Sequence, residues 1–381
     1  MVAPLAQHLN LMSGALRHAV RPAAWRGALN ADLRKARIAA PARVGIAVAL
    51  MFVVGGLTGH HDVAGFAALG ALVSAFCRPD PYPVRVGRLS VLSLMIVSSI
   101  AAGAALGACA SPVAISVVVI ALIAGTAAYF VSALHVVGPG AVVLVFAAVG
   151  AEAFAHDIHD ALQAVAASAV GTVTGMVASL APWLLGLARQ GVTGRAGTAP
   201  HSESGRARRE SVTVTLIRAP HVALLKSSAR IAVAGALGAA VALAFGLPHY
   251  MWAMMGAVAT IQGVAYHVAI HRGVQRLLGN IGGALLAAGL LALPLGYWGT
   301  AAAIVFFQTC AEVAATVNYA LTSLAVTPMA LLLTGLGAGL TPGAALDRVL
   351  DTLVGVVVGV VIGALTISGA DSEHLRTAGR H

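Results

Sequence analysis

The chain has 381 residues, of which 59% are apolar and only 9% charged, with a mean hydropathy of +0.90; soluble domains carry roughly a quarter charged residues, which excludes an ordinary soluble fold. Its net charge of +10 does not indicate nucleic acid, because the basic residues cluster at the edges of apolar runs with little aromatic interleaving. Cys77, Cys109 and Cys310 lie in or beside those runs and read as small packing residues, not as a disulfide framework or a metal site.

In chain order, residues 1–42 form a basic segment expected in the cytoplasm. They hold no short apolar core before a cleavage site, so no removable signal peptide is expected. Six apolar runs follow within 43–188, near 44–58, 63–77, 89–109, 112–131, 136–154 and 162–187. Residues 189–228, rich in Gly, Ser, Thr and Arg, read as a solvated cytoplasmic linker. A second six lie within 229–369, near 231–247, 250–266, 277–294, 298–317, 319–338 and 349–369, before a cytoplasmic tail at 370–381. About 20 apolar residues span the roughly 30 Å hydrocarbon core of a bilayer as a helix. The first two runs of each set are short for that and read as tilted, broken or hairpin helices. The expected fold is an all-α polytopic membrane protein with about twelve transmembrane helices in two six-helix repeats, and the high glycine count of 43 suits close helix packing in lipid.

Charge fixes an expected orientation. No Lys or Arg occurs between Arg88 and Arg189, or between Arg276 and Arg348. With the N-terminus inside, 22 of the 23 basic residues fall on the cytoplasmic side and only Arg348 lies outside, which predicts an N-in, C-in topology. The two sets also resemble each other. Arg43 opens one and Arg230 the other; Gly56-Leu57 matches Gly246-Leu247; His60 and His61 match His249; Arg85 and Arg88 match Arg272 and Arg276. Six spans per half give both halves one orientation, a parallel repeat about an axis along the membrane normal.

Ionisable residues inside a membrane are costly and are functional candidates. Glu312 lies within the tenth run, with Gln308 one turn earlier on the same face. A carboxyl desolvated there is disposed to exchange a proton near neutrality, which makes the pair the candidate for proton coupling. Arg348 has Asp347 beside it and Asp351 three residues on, so an internal ion pair is available. It acts either as a clamp on the entry of the last helix or as a planar two-point ligand for a carboxylate. His249, Tyr250 and Trp252 read as an interfacial belt, or as an aromatic-lined gate with His249 sensing proton activity. Arg272 and Arg276 serve as anchors near anionic headgroups or recruit substrate anions at the inner mouth. The clusters His60-His61-Asp62 and His156-Asp157-Ile158-His159-Asp160 lack thiols and a partner framework, so no metal or other cofactor is expected. No nucleophile elbow, zinc-protease or phosphate-loop pattern occurs, and an enzyme is not expected.

The second half carries Arg230-Ile-Ala-Val, Gly246-Leu-Pro-His-Tyr-Met-Trp252, Ile261-Gln262-Gly263, His271-Arg-Gly-Val-Gln-Arg-Leu-Leu-Gly279, Thr327-Pro328 and Asp347-Arg-Val-Leu-Asp-Thr-Leu-Val-Gly355. Over roughly 228–368 it resembles the fusaric-acid-resistance (FUSC-like) family of the aromatic acid exporter group, in a short form without large cytoplasmic domains. The first half matches more weakly, keeping Arg43, Tyr82-Pro83 and Arg88. The resemblance implies an inner-membrane, proton-driven exporter of small, often aromatic, weak organic acids. Its candidate substrate contacts are His249, Trp252, Gln262, Asp347, Arg348 and Asp351. The expected partners are the lipid bilayer and a small organic anion, with a homo-oligomer allowed and no nucleic acid. Alternatives of other classes are a channel-like pore and a non-transporting membrane scaffold.

Overall fold

The computed structural model describes residues 34, 36, 38–193, 211–262, 266–339 and 341–366. Most of the basic N-terminal segment, much of the linker and the tail lie outside these. Among the described residues the regular structure is helical. In the first half the helices are α1 (Ala39–Thr58), α2 (Ala64–Ala71, continued by a 3₁₀ turn at Leu72–Ala75), α3 (Tyr82–Ala108), α4 (Val113–Ala133), α5 (Val142–Phe154) and α6 (Ile158–Thr193). A short α7 (Val212–Ile217) precedes α8 (His221–Ala244), α9 (Tyr250–Ile261), α10 (Tyr266–Leu291), α11 (Gly296–Ala314), α12 (Tyr319–Ala338) and α13 (Ala344–Leu365).

Each apolar run falls on a helix, but not every one makes a full span. Eight helices, α1, α3, α4, α6, α8, α10, α12 and α13, are long and apolar enough to cross a membrane. The first run of each half, expected to be short, is therefore full length. Three helices are short: α2 with its 3₁₀ turn, α5 and α9. At 12 to 13 residues they reach only about 20 Å at 1.5 Å per residue. The run at 136–154 shrinks because Gly138-Pro139-Gly140 interrupts it, with Gly140 at a φ of 83°, a conformation glycine adopts without a steric penalty.

The helices present apolar residues outward as well as in the core, and turn most of their polar groups inward, as a lipid solvent requires. On α13, Leu346, Leu350, Leu353, Val357 and Val361 are exposed along one stripe, while Arg348, Asp351, Thr352, Gly355 and Gly359 are buried on the other. Packing follows one scheme in each half. The first helix packs on the second (α1 on α2, α8 on α9), the second on the sixth (α2 on α6, α9 on α13), and the third on the fifth and sixth (α3 on α5 and α6, α10 on α12 and α13). The halves also clasp each other: α1 packs on α11, and α4 on α8.

Two ends can be told apart. The upper end carries His60, His249 and Tyr297, where the His61 ring stacks on Tyr297 at 4.1 Å and the Tyr297 hydroxyl donates to the Phe52 carbonyl at 2.6 Å. The lower end carries Tyr129, hydrogen-bonded to His221 at 2.6 Å, and Tyr319, whose helix is capped by Asn318 accepting from Ala320 N–H at 2.7 Å. The three short helices all occupy the upper part of the bundle. Below them irregular backbone takes their place, notably 76–81 and 134–141.

Candidate functional site

Because α2, α5 and α9 stop part-way, the lower part of the bundle is left hollow. A cavity of about 920 Å³ lies there, bounded by the start of α1, the end of α4, the 136–143 segment, α10, the end of α11 and the start of α12. Irregular backbone at membrane depth is tolerated where it lines such a space. Among the described residues its wall carries five arginines, Arg43, Arg78, Arg272, Arg276 and Arg348, against one acid, Glu312. A concave, largely apolar site with a few convergent polar groups is the form small-molecule sites take, and here the lining carries an excess of positive charge.

Glu312 and Gln308 sit together as expected, both buried, with Gln308 Nε2 donating to Glu312 Oε1 at 3.1 Å. The other Glu312 oxygen accepts from Arg78 Nη2 at 2.5 Å. That ion pair ties the loop after α2 to α11, first half to second. Arg78 was not legible as a site residue in the sequence: it sits in a Pro-rich turn resembling an orientation anchor, and its partner is 234 positions away.

The basic turns of the two halves do different work. Arg85 donates to the carbonyls of Arg78 and Asp80 at 2.6 and 2.8 Å, and Arg88 pairs with Asp80 at 2.8 Å, so both hold the loop that presents Arg78. Arg272 and Arg276 instead face the cavity. The Arg272 guanidinium lies 5.9 Å from the Tyr319 ring centre, and Arg276 donates to the Tyr319 hydroxyl at 3.2 Å.

Arg348 corrects an expectation. The internal ion pair with Asp351 does not form: the guanidinium lies over the Trp252 ring at 4.9 Å, and both Asp351 oxygens are buried without a hydrogen-bond partner. The aromatic face, attractive to a cation, has taken Arg348 from its neighbour. Trp252 is not an interfacial belt residue either. It is buried, sandwiched between Arg348 and the His249 ring 4.2 Å away. His249 lies 3.4 Å from Asp347. Burial pushes its imidazole below the ordinary value, Asp347 pulls the other way and Arg348 adds to the lowering, which leaves the ring neutral near pH 7.

Gln262 joins the halves. With its amide oxygen turned toward the start of α5, it accepts from Ala141 and Val142 N–H, both at 3.0 Å, capping donors that a helix start leaves unpaired. The histidine clusters are turn structures: Asp62 accepts from Val63 N–H, Asp157 from Asp160 N–H and Asp160 from His156 N–H. Above the cavity a second, small pocket of about 50 Å³ reaches Asp62 between α2, α5 and α12, and Phe146 lines both spaces.

Residues 236–362, from the end of α8 into the last turn of α13, match the family described as fusaric acid resistance protein-like. Over that third of the chain the sequence is similar to fusaric acid resistance protein-like proteins. That stretch supplies Gln262, Arg272, Arg276, Gln308, Glu312 and Arg348, most of the polar wall of the cavity. With eight helices apolar and long enough to cross a bilayer, the chain is a multi-pass membrane protein. No curated protein and no solved structure matches the chain.

Proposed function

We propose that the protein is an inner-membrane secondary transporter that exports small, aromatic weak organic acids in exchange for protons. The observation that carries this reading is the cavity: among the described residues, five guanidinium groups stand against one carboxylate on a largely apolar wall, a lining suited to an anion with an apolar body. The N-in, C-in orientation read from the basic residues turns the hollow lower end to the cytoplasm, where an exporter must load. The narrow layer at Phe146, between the cavity and the upper pocket, is the closed side of an alternating-access cycle. Two six-helix repeats in parallel orientation fit the like-for-like packing of the halves. Movement between them would be gated at the Arg78–Glu312 pair, with Glu312 taking a proton when the substrate carboxylate claims Arg78.

The test is efflux of a panel of aromatic carboxylates from cells with and without the gene, with and without a protonophore. Export against the gradient that collapses on adding the protonophore is expected. Passive equilibration alone would make the protein a channel-like pore, and no difference between the cells would leave a membrane scaffold.

Arg348 separates a ligand from a clamp. Lys retains a point charge but lacks the planar fork for two parallel hydrogen bonds to a carboxylate. The Arg348→Lys variant is expected to reach normal protein levels and export poorly, measured as initial efflux rate per molecule. Normal export by the Lys variant would remove Arg348 from the substrate site.

A further inference from the structure

Among the described residues, Asp351 is a buried charge-bearing group that nothing so far explains. It is 0% exposed, and neither carboxylate oxygen meets a donor. An ionised carboxylate left so would bear the full cost of desolvation with nothing in return. Its natural partner, Arg348, is three residues away on the same helix face but lies over Trp252 and lines the cavity. One further acceptor in this layer, Asn280 Oδ1 on α10, is also buried and unpartnered, while the same amide donates to Thr352 at 2.8 Å. Buried acceptors without donors on both α10 and α13, two helices that pack on each other, call for a missing hydrogen.

We propose that Asp351 is a second proton-binding site, protonated while Arg348 is turned to the cavity and deprotonated when Arg348 swings back to pair with it. The proposal rests on Arg348 as the anion ligand. In balanced form, Arg348 engaged by an anion leaves Asp351 as the neutral acid. Asp351 is equally the neutral acid whenever Arg348 rests over Trp252, as in this structure; when Arg348 leaves that ring and swings back, Asp351 releases one proton to water and the resulting carboxylate pairs with Arg348. No other bond is made or broken. The charged groups around Asp351 fit this exchange. On α13 itself, Arg348 and Asp347 stand within electrostatic range. From α10, Arg276 acts on Arg348. From the start of α9, His249 is engaged with Asp347. From α8, Arg230 meets Thr366 at the far end of α13. Around Asp351, therefore, Arg348 is the cation placed to take the carboxylate when the proton leaves.

Infrared difference spectroscopy on the purified chain in lipid vesicles, without ligand, tests this directly. At neutral pH the unmodified protein and Glu312→Gln should both show the carbonyl stretch of a protonated carboxyl, and Asp351→Asn should lack it. Incorporating carboxyl-¹³C aspartate into the unmodified chain should shift that band, which makes the result independent of any variant. Because Asn mimics a neutral acid, Asp351→Asn should fold with unchanged thermal stability. An unchanged band in Asp351→Asn, a band indifferent to the isotope, failure of the variant to fold, or a band that vanishes on adding sodium chloride (a metal cation in place of the proton) would each overturn the proposal. With benzoate as probe, Asp351→Asn should still exchange labelled for unlabelled benzoate yet lose proton-driven accumulation. If the unmodified protein moves no benzoate, the transport reading is at fault, and the spectra still decide Asp351.

Discussion

Replacing Arg78 by Ala should abolish export and lower thermal stability together, and adding Glu312→Gln should restore only the second. Arg78 reaches across the cavity to Glu312 at 2.5 Å, anchored by its own Nε on the Ala75 carbonyl at 2.9 Å. Without it, Glu312 keeps only the Gln308 amide and becomes a buried carboxylate without its cation. Removing one partner of a fully buried pair costs about 3–5 kcal/mol, and an exposed pair is worth at most about 1 kcal/mol. The Arg78 side chain is 22% exposed to the cavity and Glu312 only 6%, so the loss should fall between these, nearer the buried case. A neutral glutamine at 312 removes the stranded charge, and the melting temperature of the solubilised double variant should recover. Export should not, because the guanidinium at the junction of the halves is still missing. Normal efflux by Arg78→Ala would show that this pair is no part of the pathway.

A larger structural loss is expected from filling Gly103. A Cβ there would strike the backbone carbonyl of Ala148, where α3 lies against α5. Backbone, unlike a side chain, cannot rotate out of the way, so the helices would have to part. The same close approach recurs at Gly107 against the Glu152 and Ala155 carbonyls, and in the second half at Gly279 against Ala320 and Gly283 against Leu324. Overpacking typically costs about 1–3 kcal/mol. Gly103→Leu should exceed that and yield no monodisperse protein after solubilisation. Gly150, on α5 itself, has nothing within 4 Å of the position a Cβ would take. Gly150→Ala should therefore be neutral or slightly stabilising, since alanine favours a helix by about 1 kcal/mol over glycine. If Gly103→Leu purified and melted like Gly150→Ala, the close backbone contact would be wrong.

Hydropathy revealed which segments are helical, because a lipid solvent imposes one strong compositional rule on all of them. It could not reveal where a helix stops at mid-depth. The residues lining a cavity within protein, such as 136–143, are as apolar as those facing lipid, and only Gly138-Pro139-Gly140 hinted at the break. Glu312 was legible because a lone carboxyl in an apolar run stands out whatever surrounds it. Arg78 was not, since its meaning comes from a partner on the other half. The expected Arg348–Asp351 pair rested on local helix spacing, and an aromatic ring from α9 overrode it. Trp252 misled for the same reason: its position beside a turn suggested an interface, while its neighbours in space bury it.

The clasp of α1 on α11 and of α8 on α4 bears on how the two halves depend on each other. In each half the first helix leans on the fourth helix of the other half, so a lone set of six would leave two of its faces uncovered. Two identical sets could cover each other through the same pair of contacts, related by a two-fold axis. Separating the two halves would therefore expose these contact faces, and bringing the halves together again should cover them. Within that shared scheme, the arginines of one half serve as struts for a loop, while those of the other face the hollow.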